Sequence, residues 1–204
     1  MTGVWPRATA RLLDDPVFGP LVERVGPVRL RPSRGAPFES LAAAIVYQQL
    51  AGRAALTIHG RFVAALDGEV RPDTVLAATD ETLRTAGLSR NKIAALRDLA
   101  GKVASGVVEL AELDTLSDDD VVASLTRVRG IGAWTAHMYL IFDLQRPDVW
   151  PIGDLGVRAG LARLLGRDTT ILPQEMELIG VGYRPWRSAV AWYCWRAVET
   201  ITPG

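Results

Sequence analysis

Apolar residues recur at three- and four-residue spacing through most of the 204-residue chain, and strict alternation is scarce. A period near 3.6 lines such residues along one side of a helix, whereas a half-buried strand needs a period of two. The pattern therefore predicts an all-α fold built from short helices. In segment 38–50, Phe38, Leu41, Ala42, Ile45 and Gln49 fall on one stripe after Pro37 and before Gly52. Further helices are expected at about 53–66, 73–86, 90–104, 117–126, 133–144, 155–165 and 186–199. Ser89 is placed to cap the helix opening at Arg90, and Ser117 with Asp120 makes a capping-box pattern with acidic residues at the positive helix end. Between Val25 and Gly35 two readings stay open, because Val28 and Leu30 fit either a short strand or an extended loop. No fixed-period repeat, low-complexity tract or linker interrupts the chain, which reads as one unit over 1–204.

Hydrophobic residues make up 49% and charged residues 23%, a balance that folds and excludes intrinsic disorder. Apolar runs such as Leu41 to Val46 are far shorter than a membrane span, and the N-terminus lacks an apolar signal core, so the expected place is the cytoplasm. Cys194 is the one cysteine, which excludes an intrachain disulfide. With only His59 and His137 beside it, structural zinc and a cysteine-held iron–sulfur cluster are excluded too. Basic and acidic residues number 23 each, so the basic excess of a protein that binds nucleic acid mainly by charge is missing, and any such contact must be local. Lysine occurs only at Lys92 and Lys102; the arginine bias fits phosphate recognition by planar forks, but the Ala, Gly and Val abundance favours a GC-rich genome as its origin.

The most informative segment is Leu125-Thr126-Arg127-Val128-Arg129-Gly130-Ile131-Gly132-Ala133-Trp134-Thr135-Ala136. Gly130 and Gly132 permit backbone angles and close approaches closed to other residues, and Ile131 between them can plug the turn into the core. At the start of the following helix the N–H groups of Gly132, Ala133 and Thr135 lack intrahelical acceptors and can bind a phosphate without a lysine. The bland alternative is a tight helix connection with a glycine C-cap.

The longer pattern resembles the helix-hairpin-helix (HhH-GPD) DNA glycosylases, and within them the bacterial 3-methyladenine DNA glycosylase II family. The resemblance runs over most of the chain. It rests on the hairpin Val128 to Ala136, the run Ala44 to Ala51, the turn Gly87 to Lys92, the loop Trp150-Pro151-Ile152-Gly153-Asp154, and Arg184-Pro185-Trp186-Arg187-Ser188. It implies a helix-hairpin-helix DNA glycosylase fold of two helical lobes, about 36–164 and about 1–35 plus 165–204, with the active-site cleft between them. The chain is too short for the extra N-terminal domain of some members and cannot hold the cysteine-bound cluster of others. A monovalent cation, Na+ or K+, on the backbone carbonyls of Thr126, Val128 and Ile131 is implied as well; no other cofactor is required.

Asp154 follows Pro151 and Gly153 and precedes the apolar run Leu155, Val157, Leu161, which by itself marks a helix N-cap. The resemblance makes it the catalytic carboxylate. Breaking the bond between base and deoxyribose builds positive charge on the sugar, and an anion stabilises that charge and orients the attacking water. Bifunctional members carry a lysine nucleophile in the helix after the hairpin; here that place is Trp134, which cannot form a Schiff base but can stack on an extruded base. Core packing is the alternative for Trp134. By resemblance Gln49 wedges into the gap left by the flipped nucleotide and Gln48 sits by the base pocket, against a reading in which both amides simply bond backbone. Tyr47 and Trp195 are further pocket candidates, although Trp186, Trp192, Tyr193 and Trp195 equally suit a core.

The expected function is a monofunctional, monomeric glycosylase that excises alkylated purines from damaged double-stranded DNA in base excision repair. Two alternatives stand beside it. A glycosylase for deaminated or mismatched bases would share the carboxylate, and a noncatalytic DNA-binding module would need only the hairpin.

Overall fold

The computed structural model describes residues 4–30, 35–50 and 52–199. Among them lie twelve helices: α1 (Val4–Leu13), α2 (Gly19–Val25), α3 (Pro37–Tyr47), α4 (Gly52–Ala64), α5 (Pro72–Ala77), α6 (Asp80–Thr85), α7 (Arg90–Ala104), α8 (Asp118–Leu125), α9 (Ala133–Phe142), α10 (Leu155–Leu164), α11 (Pro173–Val181) and α12 (Arg187–Glu199). No strand occurs among the described residues, so the all-α expectation holds. Residues 26–30 form neither helix nor strand, with Val28 and Leu30 buried and the Val28 N–H donating to Thr9 Oγ1 at 3.2 Å; 31–34 lie outside the described residues. None of the described helices is long and apolar enough to cross a membrane.

The chain divides into two compact units, 33–139 and 1–32 with 140–204. In unit 33–139, α7 packs against α3, α5 and α6. Its Ile93, Leu96, Leu99 and Ala100 are buried at the three- and four-residue spacing that one helix face requires. Phe38, Leu41, Ala42 and Ile45 of α3 are buried as their stripe predicts. Gln49 is not part of that stripe: α3 ends at Tyr47, and Gln49 is exposed with φ 57°. The single helix expected at 73–86 is two. Ala78 is extended, Thr79 caps α6 by accepting from Thr82 N at 3.1 Å, and Arg97 of α7 fastens the break through Ala78 O at 2.7 Å and Asp80 Oδ1 at 2.8 Å. The Ser89 cap and the Ser117–Asp120 capping pattern both form, each side chain accepting the N–H three residues on.

In unit 1–32 with 140–204 the principal packing is α10 against α12, and α1 and α2 also pack on α12. This association places 140–164 with the chain ends, where the lobe boundary near 164 expected from sequence had put it with the middle. Helices α1, α2 and α11 add to the expected set; α2 and α11 each carry a proline in the first turn, where its missing N–H costs nothing. Buried polar tips are satisfied by backbone, as when Tyr193 Oη donates to Gly26 O at 3.0 Å and Trp150 Nε1 donates to Met176 O at 2.7 Å.

Candidate functional site

Within unit 33–139 the hairpin between α8 and α9 is held from three directions. Gly130 has φ 80°, and a Cβ there would stand 3.1 Å from Ala95 Cβ, so the turn lies directly on α7. Asp98 of α7 accepts from the Arg129 N–H at 2.7 Å and from Lys102 Nζ at 2.6 Å. Partial burial pushes this carboxyl up, but the Arg129 and Lys102 hydrogen bonds and charges outweigh it and leave it below the usual carboxylate range. Gln48 Nε2 donates to the Gly130 carbonyl at 2.8 Å. Val128 and Ile131 are buried and joined by an N–H to carbonyl bond of 3.1 Å, so they plug the turn while Gly132 and Ala133 remain exposed at the start of α9. Thr135 is buried. At the first turn of α9, Gly132 and Ala133 are thus exposed on a turn held by α7 and Gln48.

The end of α3 belongs to the same construction. Lys92 donates from Nζ to the Val46 carbonyl at 2.6 Å, placing a cation on the negative end of that helix. Partial burial holds this amine below the ordinary lysine range. Gln48 follows as C-cap and Gln49 projects from a left-handed backbone that glycine or asparagine would occupy more easily. Tyr47 is half-buried and packs its ring on His59, centroids 5.1 Å apart. A polar cavity of about 350 Å³ borders Gln48, Gln49, Ser89, Asn91, Lys92 and Arg129. Trp134, at 49% exposure, is not a core side chain.

In unit 1–32 with 140–204, Asp154 is 7% exposed and caps α10, accepting at Oδ1 from the Val157 N–H at 2.8 Å and from Trp195 Nε1 at 3.0 Å. Capping was expected; the indole bond was not. The loop that delivers Asp154 is anchored by the Arg184 to Ser188 motif. Ser188 Oγ donates to Arg146 O at 2.6 Å and accepts from Val149 N at 2.9 Å, the Ser188 N–H reaches Pro147 O at 3.0 Å, and Arg187 pairs with Asp148 at 2.7 Å. Trp150 and Gly180 fix its far end, for a Cβ at Gly180 would stand 2.5 Å from Trp150 Nε1. Trp192 and Tyr193 are core residues, while Trp195 is partly exposed and stacks on Phe142 with centroids 5.6 Å apart and an interplanar angle of 22°. Phe142, Gly156, Trp192 and Trp195 line a cavity of about 460 Å³, with Arg29 and Glu199 also bordering it.

Phe142 and Gly156 were missed from sequence. The signal for Gly156 was available as the small-residue pair Gly156 and Gly160, four apart on α10, but its meaning depends on which helix lies opposite. His137 is half-buried, which lowers its pKa against the opposing pull of Asp118 and Asp119, and among the described residues no group of three His, Cys, Asp or Glu is arranged to hold a metal.

A family model described as HhH-GPD superfamily base excision DNA repair protein matches residues 42–183. The chain is 36% identical over 185 residues to DNA-3-methyladenine glycosylase 1 of Schizosaccharomyces pombe, covering 86% of this chain and 79% of the relative. Among solved structures it is similar to the Schizosaccharomyces pombe 3-methyladenine DNA glycosylase in complex with abasic DNA, with TM-score 0.83, 32% identity, and 95% and 97% of the two chains covered. A DNA-3-methyladenine glycosidase from Bacillus halodurans gives TM-score 0.83 and 32% identity over 94% of this chain and 89% of the other. The buried helix-capping carboxylate and the seated hairpin thus sit in a chain that belongs to the HhH-GPD superfamily of base excision DNA repair proteins.

Proposed function

We propose that the protein is a monofunctional, monomeric DNA glycosylase that excises the alkylated purines 3-methyladenine and 7-methylguanine from duplex DNA. The observation that carries this reading is Asp154, a buried carboxylate held at a helix N-terminus by two donors in a chain of this family. Water adds to C1′ of the deoxyribose as the glycosidic bond breaks, the bonding electron pair leaves with the base, and a proton from the water passes to Asp154 or solvent. The carboxylate stabilises the positive sugar between these events. A base alkylated at a ring nitrogen is already cationic and departs neutral, so no general acid is needed. The relatives' names supply the substrate class, and the half-exposed ring of Trp134 and the aromatic cavity beside Trp195 supply faces suited to a cationic base.

The hairpin amides of Gly132, Ala133 and Thr135 take a phosphate, and Gln49 enters the stack in place of the extruded nucleotide. The peptide carbonyls of Thr126, Val128 and Ile131 are neutral oxygen donors of the kind a monovalent cation accepts, and such an ion would add positive charge beside that phosphate. Gln48 already spends a donor on Gly130 O, which weakens the alternative that it reads the edge of a neutral lesion such as uracil. The test is chromatography of the free bases released from methylated, deaminated and oxidised duplexes. Release of methylated purines supports the reading; release of none, or of uracil alone, contradicts it.

A further inference from the structure

We propose that Trp195 is a positioning residue, whose indole N–H fixes the rotation of the Asp154 carboxylate, and that Gly156 exists to let it do so. This rests on Asp154 being the reacting carboxylate. The cap bond from Val157 N at 2.8 Å restrains Oδ1 towards a single donor, and one such bond can be met over a range of the two side-chain torsions of Asp154. The second donor, Trp195 Nε1 at 3.0 Å, approaches the same oxygen from another helix, and meeting both donors at once narrows those torsions and with them the carboxylate orientation.

Three features show that the indole is held for this purpose. Its ring lies on Phe142, nearly parallel, which fixes its orientation. A Cβ at position 156 would stand 3.0 Å from Trp195 Cδ1, 3.3 Å from its Nε1 and 3.2 Å from Asp154 Oδ1, so any larger residue would press the indole and the carboxylate aside by a few tenths of an ångström. One turn on, a Cβ at Gly160 would stand 2.0 Å from the Cys194 carbonyl oxygen, so the pair of glycines brings α10 close to the residue that precedes Trp195. Trp195 also borders the aromatic cavity, yet a base-stacking wall needs neither a donor aimed at a carboxylate nor a glycine beneath it.

The two roles separate experimentally. Trp195→Phe keeps an aromatic face and loses the donor; replacing Trp195 by 3-benzothienylalanine keeps the shape and loses only the N–H. Both variants, and Gly156→Ala, are expected to slow single-turnover release of 3-methyladenine and of 7-methylguanine by the same factor, about ten- to a hundredfold, with duplex affinity nearly unchanged. If the benzothienyl protein works at the wild-type rate while Asp154→Asn is inactive, the positioning role is wrong and the carboxylate assignment stands. If Asp154→Asn is itself as active as wild type, the assignment on which the role rests is what fails. A readout independent of activity is the Trp195 indole proton resonance of the intact protein, expected to move upfield in Asp154→Ala. An unmoved resonance overturns the proposal even where the Trp195 variants do not fold.

Discussion

Gly160 of α10 and Cys194 of α12 meet so closely that a Cβ on the glycine would lie 2.0 Å from the cysteine's carbonyl oxygen. The obstacle is backbone and cannot swing aside. Gly160→Ala is therefore expected to destabilise by about 1–3 kcal/mol or more, because α12 must shift. Gly101, in the last turn of α7 with nothing within 4 Å of its notional Cβ, is the control. Gly101→Ala should be neutral or stabilising by up to about 1 kcal/mol from helix propensity alone. Thermal melts of the two variants check this, and equal shifts would show that the α10–α12 approach is looser than described.

Asp98 gives the hairpin a pH dependence. Its carboxyl is held below its ordinary value of 3.8 in the folded protein, so it contributes stability that is present above that value and is lost as pH falls through the lower folded value. The stability difference between wild type and Asp98→Asn should hence be constant near neutrality and shrink below about pH 4. Urea unfolding at several pH values measures it; a difference that grows on acidification would contradict the arrangement around Arg129.

Much of this was legible in the chain because it depends on local chemistry. The Ser89 and Ser117 caps, the plug of Ile131, the α3 core stripe from Phe38 to Ile45 and Asp154 at the head of α10 all follow from short-range pattern and formed as read. What escaped was tertiary. The break between α5 and α6 is stabilised by Arg97, seventeen positions beyond Asp80, and no periodicity over 73–86 reports it. Gln49 was carried on the α3 stripe because Lys92 and Gln48, which end the helix early, act through α7 and the hairpin. Trp195 was one aromatic among several on α12, and its approach to Asp154, its stacking on Phe142 and its partial exposure distinguish it from the buried Trp192 and Tyr193.

On the proposed reading Trp134 takes the place of a lysine nucleophile, and the expected product is an abasic site in an unbroken strand. Borohydride is expected to trap no covalent protein–DNA complex, as gel electrophoresis would show. A trapped adduct would reveal an amine acting as nucleophile.

With zero formal net charge and a hairpin that offers amides, few charged side chains should be needed at the DNA backbone. Log affinity is expected to fall with log salt by about 0.9 per phosphate neutralised, giving a shallow total slope. A steep slope measured by anisotropy would move the anchoring onto arginines.

Substrate choice follows from charge. An aromatic face favours a cation by about 0.5–2 kcal/mol, which is roughly a few-fold to thirtyfold, and the rest of the discrimination lies in the leaving group. The protein should release 3-methyladenine and 7-methylguanine much faster than uracil or 8-oxoguanine from matched duplexes. Faster release of uracil would overturn the alkylation-repair reading while leaving the fold intact.

The central claim is that the Asp154 carboxylate carries the reaction, and the Asp154→Asn variant separates this from capping, since asparagine caps a helix about as well as aspartate. The decisive measurement is single-turnover excision of 3-methyladenine by this variant and by wild type, alongside their affinities for the damaged duplex and their melting temperatures. The account predicts a rate at least about a hundredfold lower, with binding and stability close to wild type. Excision at a comparable rate by a folded Asp154→Asn protein would contradict it.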